Sequence, residues 1–277
     1  MSVITKHPAT KTASFALKLE HLALENLYLK VAETQDEIRS AQALRYQVFY
    51  DEMGAVPDAR MQALQREEEA FDPHCDHLLV VDKNAASDRN IVGTYRVLWQ
   101  ETAEREKTGF YTETEFDLGK LRATGGHIME VSRSCVHKDY RSKMVINLLW
   151  KGIAAYVFAN DVDYLIGTPS LSGMDIQAHT DALAYLNAFH LAPEEIRPHV
   201  REEFYQPLPA KNKDCINARH DFMALPPLLK GYLRMGAVIG DGAYIDHQFN
   251  CIDVAIIVPM ADLSARYLNH YKRPDGR

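Results

Sequence analysis

The densest chemistry in this 277-residue chain lies in residues 128–141, which read Ile-Met-Glu-Val-Ser-Arg-Ser-Cys-Val-His-Lys-Asp-Tyr-Arg. The stretch has the composition of a β-strand, yet Glu130 and Arg133 interrupt its apolar run. A carboxylate inside a buried strand is costly unless it is paired or put to use. Two uses fit Glu130: accepting a proton from an amine, or closing a structural ion pair. Strand alternation places Glu130, Ser132 and Ser134 on one face and Arg133, Cys135 and His137 on the other. A local bulge or splay is needed to bring Glu130 and Arg133 into one site.

The elements that must position this strand are legible in outline. Residues 27–31 alternate apolar and polar and read as a strand. Thr34 is the N-cap of a helix, with Glu37 completing a capping box. That helix runs from 36 to about 53 and stops at Gly54, with Ile38, Ala41, Leu44, Val48 and Phe49 at helical spacing. Residues 58–70 are charged and form a second helix or a lid. Residues 78–82 and 90–99 read as two strands, joined into a hairpin by the polar link 83–89. Residues 101–121 are polar and helical in part. After the strand at 128–136 come an apolar helix (145–159), a strand from 163 stopped by Pro169, helices at 176–191 and 228–238, and one solid β run at 252–258. A hairpin followed by a strand–helix–strand crossover implies a mixed α/β sheet with helices on its faces.

Bulk properties narrow the function classes. Hydrophobic content of 47% with 25% charged residues suits a soluble globular protein with a sizeable core. A formal net charge of −7 argues against a general nucleic-acid binder. No apolar run approaches the roughly 20 residues needed to span a bilayer. Residues 1–20 carry Lys6, Lys11 and Lys18 and form a basic, mobile tail rather than a secretory signal. Residues 21–277 read as one domain, a core at 27–191 with a C-terminal extension at 192–277. Cysteines 75, 135, 215 and 251 are scattered, which fits a reducing cytoplasm.

Four charged signatures stand in order: Arg45-Tyr-Gln-Val-Phe, Glu67-Glu-Glu-Ala-Phe-Asp72, Arg96 in Gly-Thr-Tyr-Arg-Val, and Glu130-Val-Ser-Arg133. With the element order, they resemble the GNAT superfamily and, within it, the acyl-homoserine-lactone synthases. The wider similarity is to the bacterial lyso-ornithine lipid synthases, or ornithine N-acyltransferases. It rests on RYQVFYDEMG at 45–54, the Cys75-Asp-His-Leu segment, EVSRSCV at 130–136, GTPSLSG at 167–173 and residues 225–248. It covers nearly all of residues 27–270.

The resemblance implies a GNAT-like, mostly antiparallel sheet and transfer of a 3-hydroxyacyl chain from acyl carrier protein to the α-amine of L-ornithine. Glu130 is then the base, with Arg133 beside it. Arg45, Arg96 or Arg133 holds the substrate carboxylate, and Asp72 or Glu69 its side-chain ammonium. Backbone N–H groups at a splay near Ser134, Cys135 and Val136 would receive the oxyanion. The donor is an acyl-phosphopantetheine carried on acyl carrier protein, and no permanently bound cofactor or metal is expected. Acetyl-CoA enzymes of this superfamily cradle the pyrophosphate on a glycine-rich turn after the fourth strand. Here that place reads Arg141-Ser-Lys-Met-Val-Ile-Asn, without glycine, so Met144 and Ile146 would crowd a phosphate. Lys138, Arg141 and Lys143 cluster there and could dock an acidic carrier protein; an ordinary solvated turn has the same composition. The product is membrane-directed, which makes loose contact with the inner membrane, through Lys230 and Arg234, a further expectation.

Rival readings remain. Cys135 and His137 share a strand face, but no G-x-S-x-G elbow accompanies them, and a buried thiol is the commoner role. Asp72, His74, Cys75, Asp76 and His77 fit no standard zinc spacing. An acyl-homoserine-lactone synthase, another N-acyl amino acid synthase, or a non-catalytic GNAT-fold protein that binds acyl carrier protein are the alternatives.

Overall fold

A computed structural model describes residues 23–86, 90–141 and 143–263 of the chain. The basic tail expected at 1–20 lies outside them. The chain divides into two compact units, residues 1–108 with 131–161, and residues 109–130 with 162–277.

In the first unit, strands β1 (Leu27–Val31), β2 (Asp76–Asp82) and β3 (Ile91–Trp99) pair antiparallel, with the two-residue strand Ala23–Leu24 outside β1. The β2–β3 hairpin expected from sequence is present. Helix α1 (Gln35–Tyr46) begins on Thr34 with the full capping box to Glu37. Beyond Tyr46 the helix does not continue as α to Gly54; residues Gln47–Glu52 widen into a π-helix. Residues 58–70 hold only the short helix Ala59–Leu64, capped by the Asp58 side chain.

Strand β2 is apolar on both faces because both are covered. Leu79 and Val81 join Ala41, Leu44 and Val48 of the α1 region. The other face meets helix α2 (Lys143–Ala159). That approach is close: a Cβ on Gly152 would lie 2.6 Å from Leu29 Cδ2, and one on Gly93 2.7 Å from Val145 Cγ1. Between these helices the chain forms β4 (Ile128–Val136), whose last six residues belong to this unit and whose first three belong to the second.

In the second unit, residues 128–130 of β4 pair parallel with β5 (Tyr164–Gly167). Strand β5 pairs antiparallel with β10 (Ile256–Pro259), and β10 with β7 (Val238–Ile239). A three-stranded antiparallel sheet is made of β6 (Ser170–Ser172), β8 (Tyr244–Asp246) and β9 (Cys251–Asp253). The solid β run read at 252–258 is thus two strands in two sheets, because the chain leaves the first after Asp253. The longer helices of the unit are α3 (Thr180–His190) and α4 (Pro227–Met235); α4 ends on Gly236 at φ 104. The mixed, mostly antiparallel GNAT-like α/β architecture is the one expected.

Candidate active site

The four charged signatures of the sequence converge in the first unit. Helix α1 contributes Gln42 and Arg45, the 65–75 segment contributes Glu67, Glu69 and Asp72, β3 contributes Arg96, and β4 contributes Ser132 and Arg133. Arg45 Nη2 donates to the Glu67 carbonyl and to Asp72 Oδ2, both at 2.6 Å, and its Nε meets the Glu67 carboxylate. Arg96 Nη1 reaches Asp72 Oδ1 at 3.1 Å and also the Glu69 carboxylate, while its Nε donates to Ser132 Oγ at 3.0 Å. Arg133 Nε donates to Glu67 Oε1 at 2.8 Å, and its Nη2 pairs with Glu69. Gln42 Nε2 and the Glu69 N–H add donors to Asp72 Oδ2 at 2.8 and 3.2 Å.

Three guanidiniums therefore face three carboxylates in a neutral lattice, which is how charge becomes tolerable in a protein interior. Arg45, Arg96 and Asp72, expected to grip substrate, are 0, 1 and 4% exposed and committed to one another. Glu69 and Arg133, with side chains 15 and 9% exposed, form the edge that reaches the surface. Burial works against the Glu69 charge, but Arg133, Arg96 and Arg45 overcome it and hold the carboxyl at about 2. Asp72 is likewise held well below the ordinary carboxylate range by Arg45 and Arg96. His77 lies against the lattice, its Nε2 3.1 Å from the Asp72 carbonyl. Burial, then the Arg45 charge, lowers it to about 4, so it is neutral at pH 7.

The alternation expected along β4 fails at Arg133. Its φ is 54°, the left-handed region that a residue with a Cβ enters only at a cost of about 1–2 kcal/mol. As a result Ser132 and its neighbour Arg133 both send their side chains to the lattice. This left-handed residue directly precedes the stretch 134–136 where a splay is expected, and its side chain pairs with the Glu67 and Glu69 carboxylates.

Glu130, in the second unit, is 1% exposed. Its Oε2 accepts the Tyr111 N–H at 2.9 Å; its Oε1 accepts the N–H and the hydroxyl of Thr112, each at 2.7 Å. The carboxylate is held by dipoles at the start of the single-turn helix Tyr111–Thr114.

The remaining expected positions lie as follows. Ser134 is half-buried, and Cys135 and Val136 are buried. The Cys135 side chain belongs to the apolar cluster of Ala41, Leu44 and Val48, and burial pushes its thiol well up, which makes it inert packing. Lys138 is exposed. Arg141 is engaged by Glu52 at the end of the π-helix and donates to the Val136 carbonyl at 3.2 Å. The Lys143 side chain lies outside what is described. Met144 and Ile146 stand exposed on the first turn of α2. Sequence reasoning passed over Glu67, Gln42 and His77 as site members. The run Glu67-Glu68-Glu69 held the signal for Glu67, but only tertiary contacts separate the sealed Glu67 from its neighbours.

One group could offer metal ligands among the described residues: Asp246, Cys251 and Asp253, with ligand atoms within 4.8 Å of one another. The Cys251 thiol donates to Asp253 Oδ1 at 3.3 Å, and burial pushes it well up. A protonated thiol used as a donor accounts for the contact without an ion.

Residues 44–151, which contain the three arginines and three carboxylates of the lattice, match the acetyltransferase (GNAT) domain. The L-ornithine N(alpha)-acyltransferase of Rhizobium meliloti is 40% identical over 258 residues, covering 92% of this chain and 87% of that protein. That of Agrobacterium fabrum is 41% identical over 249 residues, covering 88% and 85%. Among solved structures, FeeM, an N-acyl amino acid synthase from uncultured soil microbes, aligns with a TM-score of 0.48 at 11% identity over 86% of this chain and 93% of that one. With two-fifths of its residues shared across nearly its full length, the chain is an acyltransferase of the L-ornithine N(alpha)-acyltransferase family.

Proposed function

We propose that this enzyme moves a 3-hydroxyacyl chain from acyl carrier protein to the α-amine of L-ornithine, forming lyso-ornithine lipid. The observation that carries this is the relationship to curated ornithine acyltransferases at 36–41% identity over about nine-tenths of the chain. The amine attacks the thioester carbonyl, a proton leaves the nitrogen, and the phosphopantetheine thiol departs; no covalent enzyme intermediate is required. Backbone N–H groups of residues 134–136, next to the left-handed turn at Arg133, receive the oxyanion. The absence of glycine at 141–147 and the exposed Met144 and Ile146 favour a carrier-protein donor over CoA, with Lys138 and Arg141 at the docking face. The reaction joins water-borne reactants to a lipid product; among the described residues no helix is long and apolar enough to cross a membrane.

Glu130 has two roles to separate. As proton acceptor, it takes the amine proton. As an anchor, it fixes residues 111–112, whose N–H groups and Thr112 hydroxyl it accepts. The test is amide formation from 3-hydroxyacyl carrier protein and ornithine, followed by mass detection, for wild type and Glu130→Gln across pH 6–9. A base requires at least a hundredfold loss of kcat with the acidic limb of the profile removed. An anchor requires a loss that is the same at every pH. Absence of any N-acyl-ornithine from the wild-type enzyme would end the functional reading itself.

A further inference from the structure

The donors that meet Glu130 belong to a tight turn, and that turn is gripped from its other side. Tyr111 and Thr112 supply the three hydrogen bonds to the carboxylate. Their neighbours close the turn on themselves: the Glu113 N–H donates to the Phe110 carbonyl at 3.0 Å, and Glu113 Oε2 accepts the Phe110 N–H at 2.8 Å. Gly109 enters the turn at φ 64, and a Cβ there would lie 2.8 Å from Glu113 Oε2, so only glycine lets the carboxylate fold back this far.

Arg122, on the short helix Gly119–Ala123, touches both ends of this turn. Its Nε donates to Glu113 Oε1 at 2.6 Å and its Nη2 to Glu113 Oε2 at 2.8 Å, a two-pronged contact that fixes direction as well as distance. The same guanidinium lies over the Phe110 ring, 4.8 Å from its centroid. Residues 110 and 113 flank the two that hold Glu130, so one side chain spans the whole support of that carboxylate. Phe110, Thr112 and Leu121 are buried, which seats the turn and the helix that carries Arg122. The Arg122 and Glu113 side chains are themselves about a quarter exposed, and an ion pair so placed adds little to stability. What it can set is geometry, and displacing a reacting group by about 1 Å can cost roughly a hundredfold in rate.

We propose that Arg122 is a positioning residue for the acyl transfer: it clamps residues 110 and 113 and thereby fixes the Tyr111 and Thr112 donors that place the Glu130 carboxylate. The proposal rests on the acyl-transfer reading above and has Arg122 act on the reaction only through Glu130.

The test is a cycle of wild type, Arg122→Gln, Glu130→Gln and the double variant, assayed for N-acyl-ornithine formation. Arg122→Gln should lower kcat at least tenfold and keep KM for ornithine and for the acyl donor within twofold. The double variant should be no slower than Glu130→Gln, within twofold, because the clamp then has no carboxylate to place. An unchanged kcat in Arg122→Gln, or losses that multiply in the double variant, overturns the proposal and leaves the acyl-transfer reading standing. Should Arg122→Gln not fold, Glu113→Gln is read the same way; it removes the charge pair and keeps an oxygen for the Phe110 N–H. Should wild type acylate no amino acid, amide hydrogen exchange on the full-length protein still decides. A tenfold faster exchange of the Tyr111 and Thr112 N–H groups in Arg122→Gln supports the clamp, and unchanged exchange overturns it.

Discussion

Two parts of this enzyme bury negative charge, one with guanidiniums around it and the other with backbone N–H groups and a hydroxyl against it. In the first unit, Glu67, Glu69 and Asp72 are neutralised by Arg45, Arg96 and Arg133. In the second, Glu130 accepts two backbone N–H groups and the Thr112 hydroxyl. A lattice of full charges is strong only while it is complete, because deleting one member strands another in a low dielectric. A carboxylate held by dipoles loses less when it is neutralised, because its donors were never charged. Rigidity that must not fail suits the first arrangement; a group whose protonation changes suits the second.

The sharpest way to break this comparison is Arg45→Met against Glu130→Gln. Arg45→Met leaves Glu67 and Asp72 facing a methyl group and should destabilise by about 3–5 kcal/mol. Glu130→Gln should cost about 1–3 kcal/mol. Urea midpoints measure both, and equal losses would show that the lattice gains nothing from its charges.

Acid offers a second route. The His77 ring has a folded value of about 4 against an ordinary 6.5. Between those values the unfolded chain takes up a proton that the fold refuses, so stability present above pH 6.5 is lost as the pH falls toward 4. The loss is on the order of 3 kcal/mol at about 1.4 per unit. Glu69, held at about 2 against an ordinary 4.5, adds a second loss below pH 4.5. His77→Gln should flatten the first window and leave the second, which stability measured at pH 7, 5 and 3 resolves. A slope unchanged between pH 6.5 and 4 would place the acid sensitivity outside His77.

The smallest effect belongs to a half-buried carboxylate near the surface. Glu37 accepts the N–H groups of Glu33 and Thr34 and pairs with Lys30 at 2.6 Å, so it has both kinds of support at once. Thr34→Ala removes the reciprocal bond of this box and should cost about 1 kcal/mol in thermal unfolding. A larger loss would mean that the exposed box is coupled to the interior.

What the sequence made legible follows from the range of the interactions involved. The Thr34–Glu37 box spans four residues and was read correctly, as were the β2–β3 hairpin and the apolar helix α2. Arg45, Asp72, Arg96 and Arg133 were singled out by type and order, but their pairing was not, because each partner lies on a different element. The π-helical widening after Tyr46 left no trace, since Val48 and Phe49 suit either spacing. The break between β9 and β10 was invisible for a similar reason: Val254 and Ala255 are as apolar and buried as the strands they separate. The left-handed turn at Arg133 has no glycine or asparagine to announce it, and the carboxylates its side chain meets, Glu67 and Glu69, are distant in sequence.

The widened turn at Gln47–Glu52 behaves as a phase adapter. A π turn holds one more residue than an α turn, so every side chain after it is rotated by roughly 100° from where an uninterrupted helix would aim it. That offset goes with Glu52 meeting Arg141 while Ala41 and Leu44 of the same helix stay packed on β2. Shortening the segment by one residue would therefore act less as a loss of length than as a twist of the key: the ward that grips Arg141 would turn away, and the shank would stay in place.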